Sequence, residues 1–330
     1  MSRNINFIEK PQILLDAALS RGRRASMEYP KQKTVFYTIK GKEIAKIDTS
    51  ANYLEEKLFK AAKQFPDFDS LDPFYGDLYS CIIDIDEMKK NLSSLSSVGR
   101  LIKNLRREHI VKLKEMRYGK GMEHAAKKVT NMYIGRVSSL LKGIQKHIEF
   151  YNLSAKKLNE LPSIRLDEDC IMLAGFPNVG KSTLLQKITE SKPEIANYPF
   201  TTKGLNVGVF YLRHIPIQVI DTPGLLDRPL MERNNIELKA LTALQHLKGM
   251  IVFAVDPMDD MDKQTKLFED VRKLFKKHKF LVVITKSDIA NPTQVEIAKK
   301  AFNEYETIIE GQNLSTLKEY LTTKGKQLFL

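Results

Sequence analysis

Apolar residues change their rhythm near the middle of this chain. Through the first half they recur at three- and four-residue intervals. Beyond about residue 170 they gather into short unbroken runs separated by helical stretches. The first rhythm predicts amphipathic helices and the second predicts buried strands. Pro11 followed by QILLDAALS suits a short helix with Pro in its first turn, within a marginally ordered first 30 residues. Arg21-Gly22-Arg23-Arg24 is expected to break it. Residues 34–65 carry Tyr53, Leu54, Leu58, Ala61, Ala62 and Phe65 at helical spacing, with Gly41 as an expected kink. FPDFD and LDPFY, from Phe65 to Tyr75, form an acidic, aromatic helix-capping turn. Pro73 and irregular spacing set the carboxylates from Asp69 to Asp77 apart from an EF-hand loop. Residues 77–159 read as helical, with Leu92, Leu95, Leu101, Ile102 and Leu105 in apolar stripes. From Gly99 on, Val98, Leu101, Leu105, Ile110, Val111 and Leu113 supply a candidate buried face. Tyr118-Gly119-Lys120-Gly121 is a loop, and a helix over about 123–157 completes a bundle that Leu161-Pro162-Ser163 ends.

In the second half, Ile171–Ala174, Val207–Tyr211, Ile215–Ile220, Ile251–Val255 and Leu281–Ile284 read as strands. Residues 233–247 and 262–277 read as helices between them. Alternating strands and helices predict a doubly wound α/β domain with a mostly parallel sheet and its ligand at the carboxyl ends of the strands. The expected organisation is an all-α bundle over 1–165 followed by an α/β domain over 166–330.

Charge sharpens this division. The chain of 330 residues carries a net +13; residues 1–160 hold 30 basic and 19 acidic side chains, residues 161–330 hold 23 and 21. A basic half beside a near-neutral half suits a polyanion-binding module joined to a second domain. The cations from Arg100 to Lys128, including Arg106, Arg107, Lys112 and Lys114, face few carboxylates. They are candidate RNA contacts or, alternatively, a solvated helix face. No apolar run approaches the ~20 residues of a membrane span. The N-terminus lacks a signal-peptide core. The two cysteines, Cys81 and Cys170, are read as reduced thiols of a cytoplasmic protein.

The chemistry centres on Gly175-Phe-Pro-Asn-Val-Gly180-Lys181-Ser182, which fits G-x-x-x-x-G-K-[ST] between a strand and a helix. Gly175 and Gly180 let the backbone curl so that N–H groups point at phosphate oxygens. Asn178, Val179, Gly180, Lys181, Ser182 and Thr183 are the candidate phosphate-binding residues. Lys181 can reach the β- and γ-phosphates, and the Ser182 hydroxyl can bind Mg²⁺. Asp221-Thr222-Pro223-Gly224 follows a strand; its carboxylate can hold Mg²⁺ through water, and the Gly224 N–H can meet the γ-phosphate. Thr285-Lys286-Ser287-Asp288 follows a later strand. There the Asp288 carboxylate can accept the ring N–H and exocyclic amine of guanine, and the Lys286 stem can cover the ring. This predicts a GTPase using GTP/GDP and Mg²⁺. Asn is usual at the Thr285 position, which leaves one hydrogen bond in question.

With these motifs placed, the chain resembles the nucleolar GTP-binding protein family, in the Obg-like branch of translation-factor-related GTPases. FPDFDSLDPFYGDLY (65–79), GFPNVGKST (175–183), NYPFTTKGLNVG (197–208) and VIDTPGLLDRPLMERNNIE (219–237) carry the resemblance. It implies an N-terminal helical bundle, GTP with Mg²⁺, and as partners the large ribosomal subunit or its precursor and ribosomal RNA, with neither a membrane nor DNA expected. It also implies that Thr202, with Thr201 as the fallback, closes over Mg²⁺ and the γ-phosphate. Lys181, Thr202 and Gly224 are then the catalytic candidates. The chain ends at Leu330 without the long basic tail of nucleolar members, as expected of a minimal archaeal-type member. Ile308-Ile309-Glu310-Gly311 lies where the final guanine-contacting motif belongs and lacks its Ser-Ala pattern. Leu225 replaces a water-orienting Gln, so intrinsic hydrolysis is expected to be slow. In potassium-activated GTPases that resemble this branch, an Asn matching Asn178 helps hold K⁺; here it is either that ligand or a turn residue. Arg228 is the rival cation. A scaffold that binds RNA or the ribosome, with structural GTP, is the alternative function.

Overall fold

The computed structural model describes residues 4–161, 164–166, 168–189, 194–196, 205–229, 233–310 and 316–329. Two compact units divide the chain. Arg3–Asp67 and Ile83–Asn159 form a helical unit; Phe68–Ile82 and Glu160–Leu330 belong to an α/β unit. The helical unit contains 30 basic and 15 acidic residues and the α/β unit 23 and 25, so the positive excess lies wholly in the helices.

The helical unit packs α1 (Pro11–Glu28), α2 (Val35–Gln64), α4 (Ile85–Glu115), α5 (Met122–Gly143) and α6 (Gln145–Asn159). Neither glycine breaks its helix. At Gly22 the helices α1 and α2 approach so closely that a Cβ would sit 2.6 Å from the Lys46 carbonyl oxygen, and at Gly41 the ring of Tyr29 occupies the side-chain space. Both glycines therefore act as contact points, a role that outweighs their cost inside a helix. The residues before α1 are also better ordered than expected. The Ile5 N–H and C=O each meet the side-chain amide of Asn159 at 2.8 Å, and those of Ile8 meet Asn152 at 2.8 Å. Two asparagines one heptad apart thus stand in for a neighbouring strand, and Ile5 and Ile8 are buried.

The buried face of α4 runs through Met88, Leu95, Ile102 and His109, seven residues apart, with Val98 and Leu113 beside it. Leu101 and Val111 are 46% and 48% exposed, contrary to the expected stripe, because they fall outside that heptad seam. The expected single helix over about 123–157 is divided at Ile144, where the N–H bonds back to Leu141 O at 3.2 Å.

The α/β unit is built on a seven-stranded sheet ordered β2-β3-β4-β1-β5-β6-β7. The strands are β1 Cys170–Ala174, β2 Glu194–Ala196, β3 Leu205–Leu212, β4 Ile215–Asp221, β5 Gly249–Val255, β6 Lys279–Ile284 and β7 Thr307–Ile309. β2 and β3 are antiparallel to their neighbours, and the remaining pairs are parallel. The central strands are buried on both faces, which explains their unbroken apolar runs. One face packs on Leu184, Leu185 and Ile188 of α7 (Lys181–Ile188) and on Leu317 and Leu321 of α11 (Thr316–Phe329). On the other face, Phe253 meets Phe268 of α9 (Met261–Leu274), whose ring also meets Phe302 after α10 (Pro292–Ala301).

Helix α3 (Pro73–Ser80) packs in this unit against α8 (Asn235–Leu244), although the sequence places it amid the helical region. Asp72 caps it by accepting from the Phe74 N–H at 2.9 Å, as the turn chemistry predicts. Asp77 meets His246 at 3.0 Å, and the Tyr75 hydroxyl donates to Ile164 O at 2.7 Å. Burial pushes the Cys81 thiol up to about 11 and Cys170 up to about 12, so both stay protonated near neutrality. Among the described residues, no helix is long and apolar enough to cross a membrane.

Candidate active site

The site gathers where β1, β4, β5 and β6 end side by side. Between β1 and α7 the loop 175–180 turns through left-handed conformations at Gly175 (φ 129°), Asn178 (φ 65°) and Gly180 (φ 97°). Gly175 admits no side chain: a Cβ would stand 2.4 Å from Ala254 O. Its N–H donates to Leu226 O at 2.9 Å, which ties the loop to the turn after β4. Val179 is buried, whereas Asn178, Ser182 and Thr183 are exposed.

Lys181 is only 7% exposed. Its ammonium donates to Gly175 O at 2.7 Å and Phe176 O at 2.6 Å. Burial lowers its pKa, opposed by the charges of Asp221 and Asp227. The lysine is thus held inside the loop by carbonyls that phosphate oxygens can replace.

Ser182 and Asp221, 39 residues apart, meet directly: the Ser182 hydroxyl donates to Asp221 Oδ2 at 2.8 Å. Asn206 Nδ2 donates to the same oxygen at 3.2 Å, from the residue that pairs with Asp221 across β3 and β4. Asp221 is fully buried, and its other oxygen, Oδ1, has no partner among the described residues. A buried carboxylate is costly without compensation, so this orphaned oxygen beside a hydroxyl suits a cation. One hydroxyl and one carboxylate, completed by phosphate and water oxygens, fit Mg²⁺ rather than a softer metal. Thr202 and Thr201 lie outside the described residues.

Downstream, the Gly224 N–H donates to Asp227 Oδ2 at 2.8 Å. Leu225 is fully buried, so its side chain cannot reach a nucleophilic water. Arg228, the rival cation, pairs with Glu237 at 2.5 Å, where α8 begins with an Asn234–Glu237 capping box. Its carbonyl accepts from Arg233 at 2.5 Å; two other nitrogens of that buried guanidinium have no partner among the described residues.

Thr285 bonds within the protein. Its hydroxyl donates to Val179 O at 2.7 Å and also lies 3.1 Å from Val255 O, joining the phosphate loop to the ends of β5 and β6. A hydroxyl reaches this loop carbonyl from a fully buried strand end, so the shorter side chain still ties the two motifs together. Lys286, with φ 53°, pairs with Asp256 at 2.6 Å, and Asp288 is exposed beyond it. Ser287 donates to Glu310 O at 2.9 Å, and Glu310 N to Ile284 O at 2.8 Å, so the end of β7 braces this turn. Glu310 is buried, and that burial raises its pKa.

The motif pattern gives Asn206, Asp227 and Asp256 no role, and Glu310 stands only in the segment that lacks the final guanine-contacting pattern. Asp256 carries a signal of its own, an acidic residue directly after an apolar strand.

Residues 3–165 match a model described as the NOG1 N-terminal helical domain, and residues 170–286 match one described as a 50S ribosome-binding GTPase. The uncharacterized protein MJ1408 of Methanocaldococcus jannaschii is 35% identical over 90% of this chain and 85% of its own length. Nucleolar GTP-binding protein 1 of Caenorhabditis elegans is 33% identical over 91% of this chain and 44% of its own. For the Saccharomyces cerevisiae protein of that name the figures are 29%, 92% and 47%. The chain thus spans less than half the length of these two eukaryotic relatives. With a NOG1 helical domain followed by a P-loop GTPase domain, it belongs to the nucleolar GTP-binding protein family.

Proposed function

We propose that the chain is a Mg²⁺-dependent switch that binds and hydrolyses GTP in the cytoplasm and acts on the large ribosomal subunit or its precursor. The observation that carries this reading is Asp221, a buried carboxylate with one orphaned oxygen, touching Ser182 under a phosphate loop. Bound there, Mg²⁺ would supply positive charge to the phosphate oxygens as negative charge builds up during transfer. Ser182 would be its direct ligand and Asp221 would hold it through water, with Thr202 proposed to close the site. Lys181 exchanges its two loop carbonyls for phosphate oxygens. The Gly224 N–H turns from Asp227 to the γ-phosphate. Asp288 reads the guanine edge while the Lys286 stem covers the ring. The names of the eukaryotic relatives and the ribosome-binding description of the GTPase model support a ribosomal partner. The basic helical unit supports contact with ribosomal RNA.

Turnover is slow in this reading, because Leu225 is buried and Arg228 is committed to Glu237. The same two observations favour the second reading, an RNA- or ribosome-binding scaffold with negligible turnover. Sedimentation with ribosomal subunits in GDP and in a non-hydrolysable GTP analogue separates them. A switch co-sediments with the large subunit preferentially in one state; equal binding favours the scaffold. Asn178, exposed in a left-handed turn of the loop, is the proposed ligand for an activating K⁺. GTP turnover should then be faster in KCl than in NaCl at equal ionic strength, and Asn178→Ala should remove the difference. Identical rates in the two salts would eliminate potassium.

A further inference from the structure

The connections α1–α2 and α4–α5 meet at one end of the helical unit and build an aromatic tip there. Phe36, in the first turn of α2, lies edge-on to Tyr37 with ring centres 5.0 Å apart, and to Tyr118, in the α4–α5 connection, at 5.9 Å. Tyr118 is 84% exposed and Tyr37 57%. Tyr118 holds its place all the same. Lys40 sits over the Phe36 ring at 5.2 Å and donates to the Lys114 and Met116 carbonyls, which fastens the connection to α2. Exposed rings on a braced support contribute little to the core and keep contact area available at small entropic cost. The charge around them decides what that area suits. Lys31, Lys33, Lys114, Arg117 and Lys120 are all exposed in these segments. The carboxylates nearby are Glu28, Glu115 and Glu123, and Glu123 is already paired with Lys127 at 2.8 Å.

We propose that this tip binds unpaired bases of an RNA loop, Tyr118 and Tyr37 stacking on base faces while Arg117 and the lysines hold the flanking phosphates. The inference rests on the proposed RNA role of the helical unit and adds the element of RNA it reads. A paired A-form helix hides its base faces, whereas loops and bulges offer them to aromatic side chains. A purely electrostatic contact with duplex RNA would need the cations and leave the rings without a task.

The full chain can test this by fluorescence anisotropy with a labelled RNA hairpin bearing an unpaired loop and with a fully paired duplex of the same length. Tyr118→Ala should weaken hairpin binding about ten-fold, leaving duplex binding and the salt slope unchanged. Tyr118→Phe should restore it. Arg117→Gln should weaken both RNAs and lower the salt slope by about one. Melting curves check that each variant is folded. Hairpin affinity unmoved by Tyr118→Ala and by Tyr37→Ala would overturn the tip and leave the RNA role standing. Equal losses on hairpin and duplex would overturn stacking. No RNA binding by the unaltered chain at low salt would overturn the RNA role with it. Unchanged RNA binding but lost co-sedimentation with the subunit in Tyr118→Ala would assign the tip to a protein instead.

Discussion

Asp288 is exposed at the end of a turn braced by bonds from Thr285 to Val179 O and from Ser287 to Glu310 O. Asp288→Asn should weaken GTP binding about ten-fold or more, since a charge-assisted hydrogen bond contributes about 1.5–3 kcal/mol. It should also admit xanthine nucleotides. Titration of the variant with both nucleotides checks this, and unchanged guanine affinity would displace the motif. Arg106 shows the opposite fate for a charged residue. Counted among candidate RNA contacts, it lies 3.6 Å from Glu55 and 3.7 Å from Asp48, with its side chain only 19% exposed. Burial raises the pKa of Glu55, and Arg106 is the leading charge opposing that. Arg106→Ala should therefore cost about 1–3 kcal/mol of stability at neutral pH, by leaving a buried carboxylate without its cation. A raised carboxyl pKa favours the protonated form in the folded state, so the loss should shrink on acidification toward the carboxylate range. Urea denaturation at the two pH values measures it. Lys112, paired with Glu108 at 2.6 Å, and Lys114 are both exposed, unlike Arg106.

At the level of elements, close approach explains why α1 runs on through Gly22. Gly22→Ala should destabilise the protein by about 1–3 kcal/mol, because the new methyl group meets backbone rather than a movable side chain. Gly76→Ala, inside α3 with nothing within 4 Å of its Cβ position, should be neutral or stabilising by up to about 1 kcal/mol. Thermal melts of the two variants make the comparison. The pair also shows what the sequence leaves out. Periodicity locates helices, and capping residues bound them, yet nothing local distinguishes a glycine that ends a helix from one that lets another helix in. The strands beside the site were legible because burial on both faces makes their runs continuous. β2 and β7, three residues each, are too short to show a period. The helix α10 carries its signal in its N-terminal cap, spelled out by Asn291, Pro292 and Gln294. In the site itself the three phosphate- and base-binding motifs, Gly175–Ser182, Asp221–Gly224 and Thr285–Asp288, announce themselves by spacing. Asn206 does not, because its role depends on lying opposite Asp221 across two strands.

Across the whole molecule, charge and chemistry are divided: the helical unit holds the positive excess, and the α/β unit the phosphate-loop motifs. The segment Phe68–Ile82 complicates that division, since it belongs to the α/β unit while lying between parts of the helical one. A fragment ending near residue 160 would carry α3 away from its partner α8, so RNA-binding measurements belong on the full chain. The turn at Gly224 bears on the molecule as a switch. Its N–H is already satisfied by the Asp227 carboxylate. If the γ-phosphate takes this N–H, as proposed, GTP would have to evict that anion whereas GDP would not. The resting form would then be tilted toward the diphosphate by an internal rival whose strength is set by one side chain. Asp227→Asn should raise the ratio of GTP to GDP affinity about three- to ten-fold, by weakening a charge-assisted bond to a neutral one. Calorimetric titration with GDP and a non-hydrolysable GTP analogue reads that ratio. The set point of the switch would then be adjustable without touching the phosphate loop, the base-reading turn or the metal ligands.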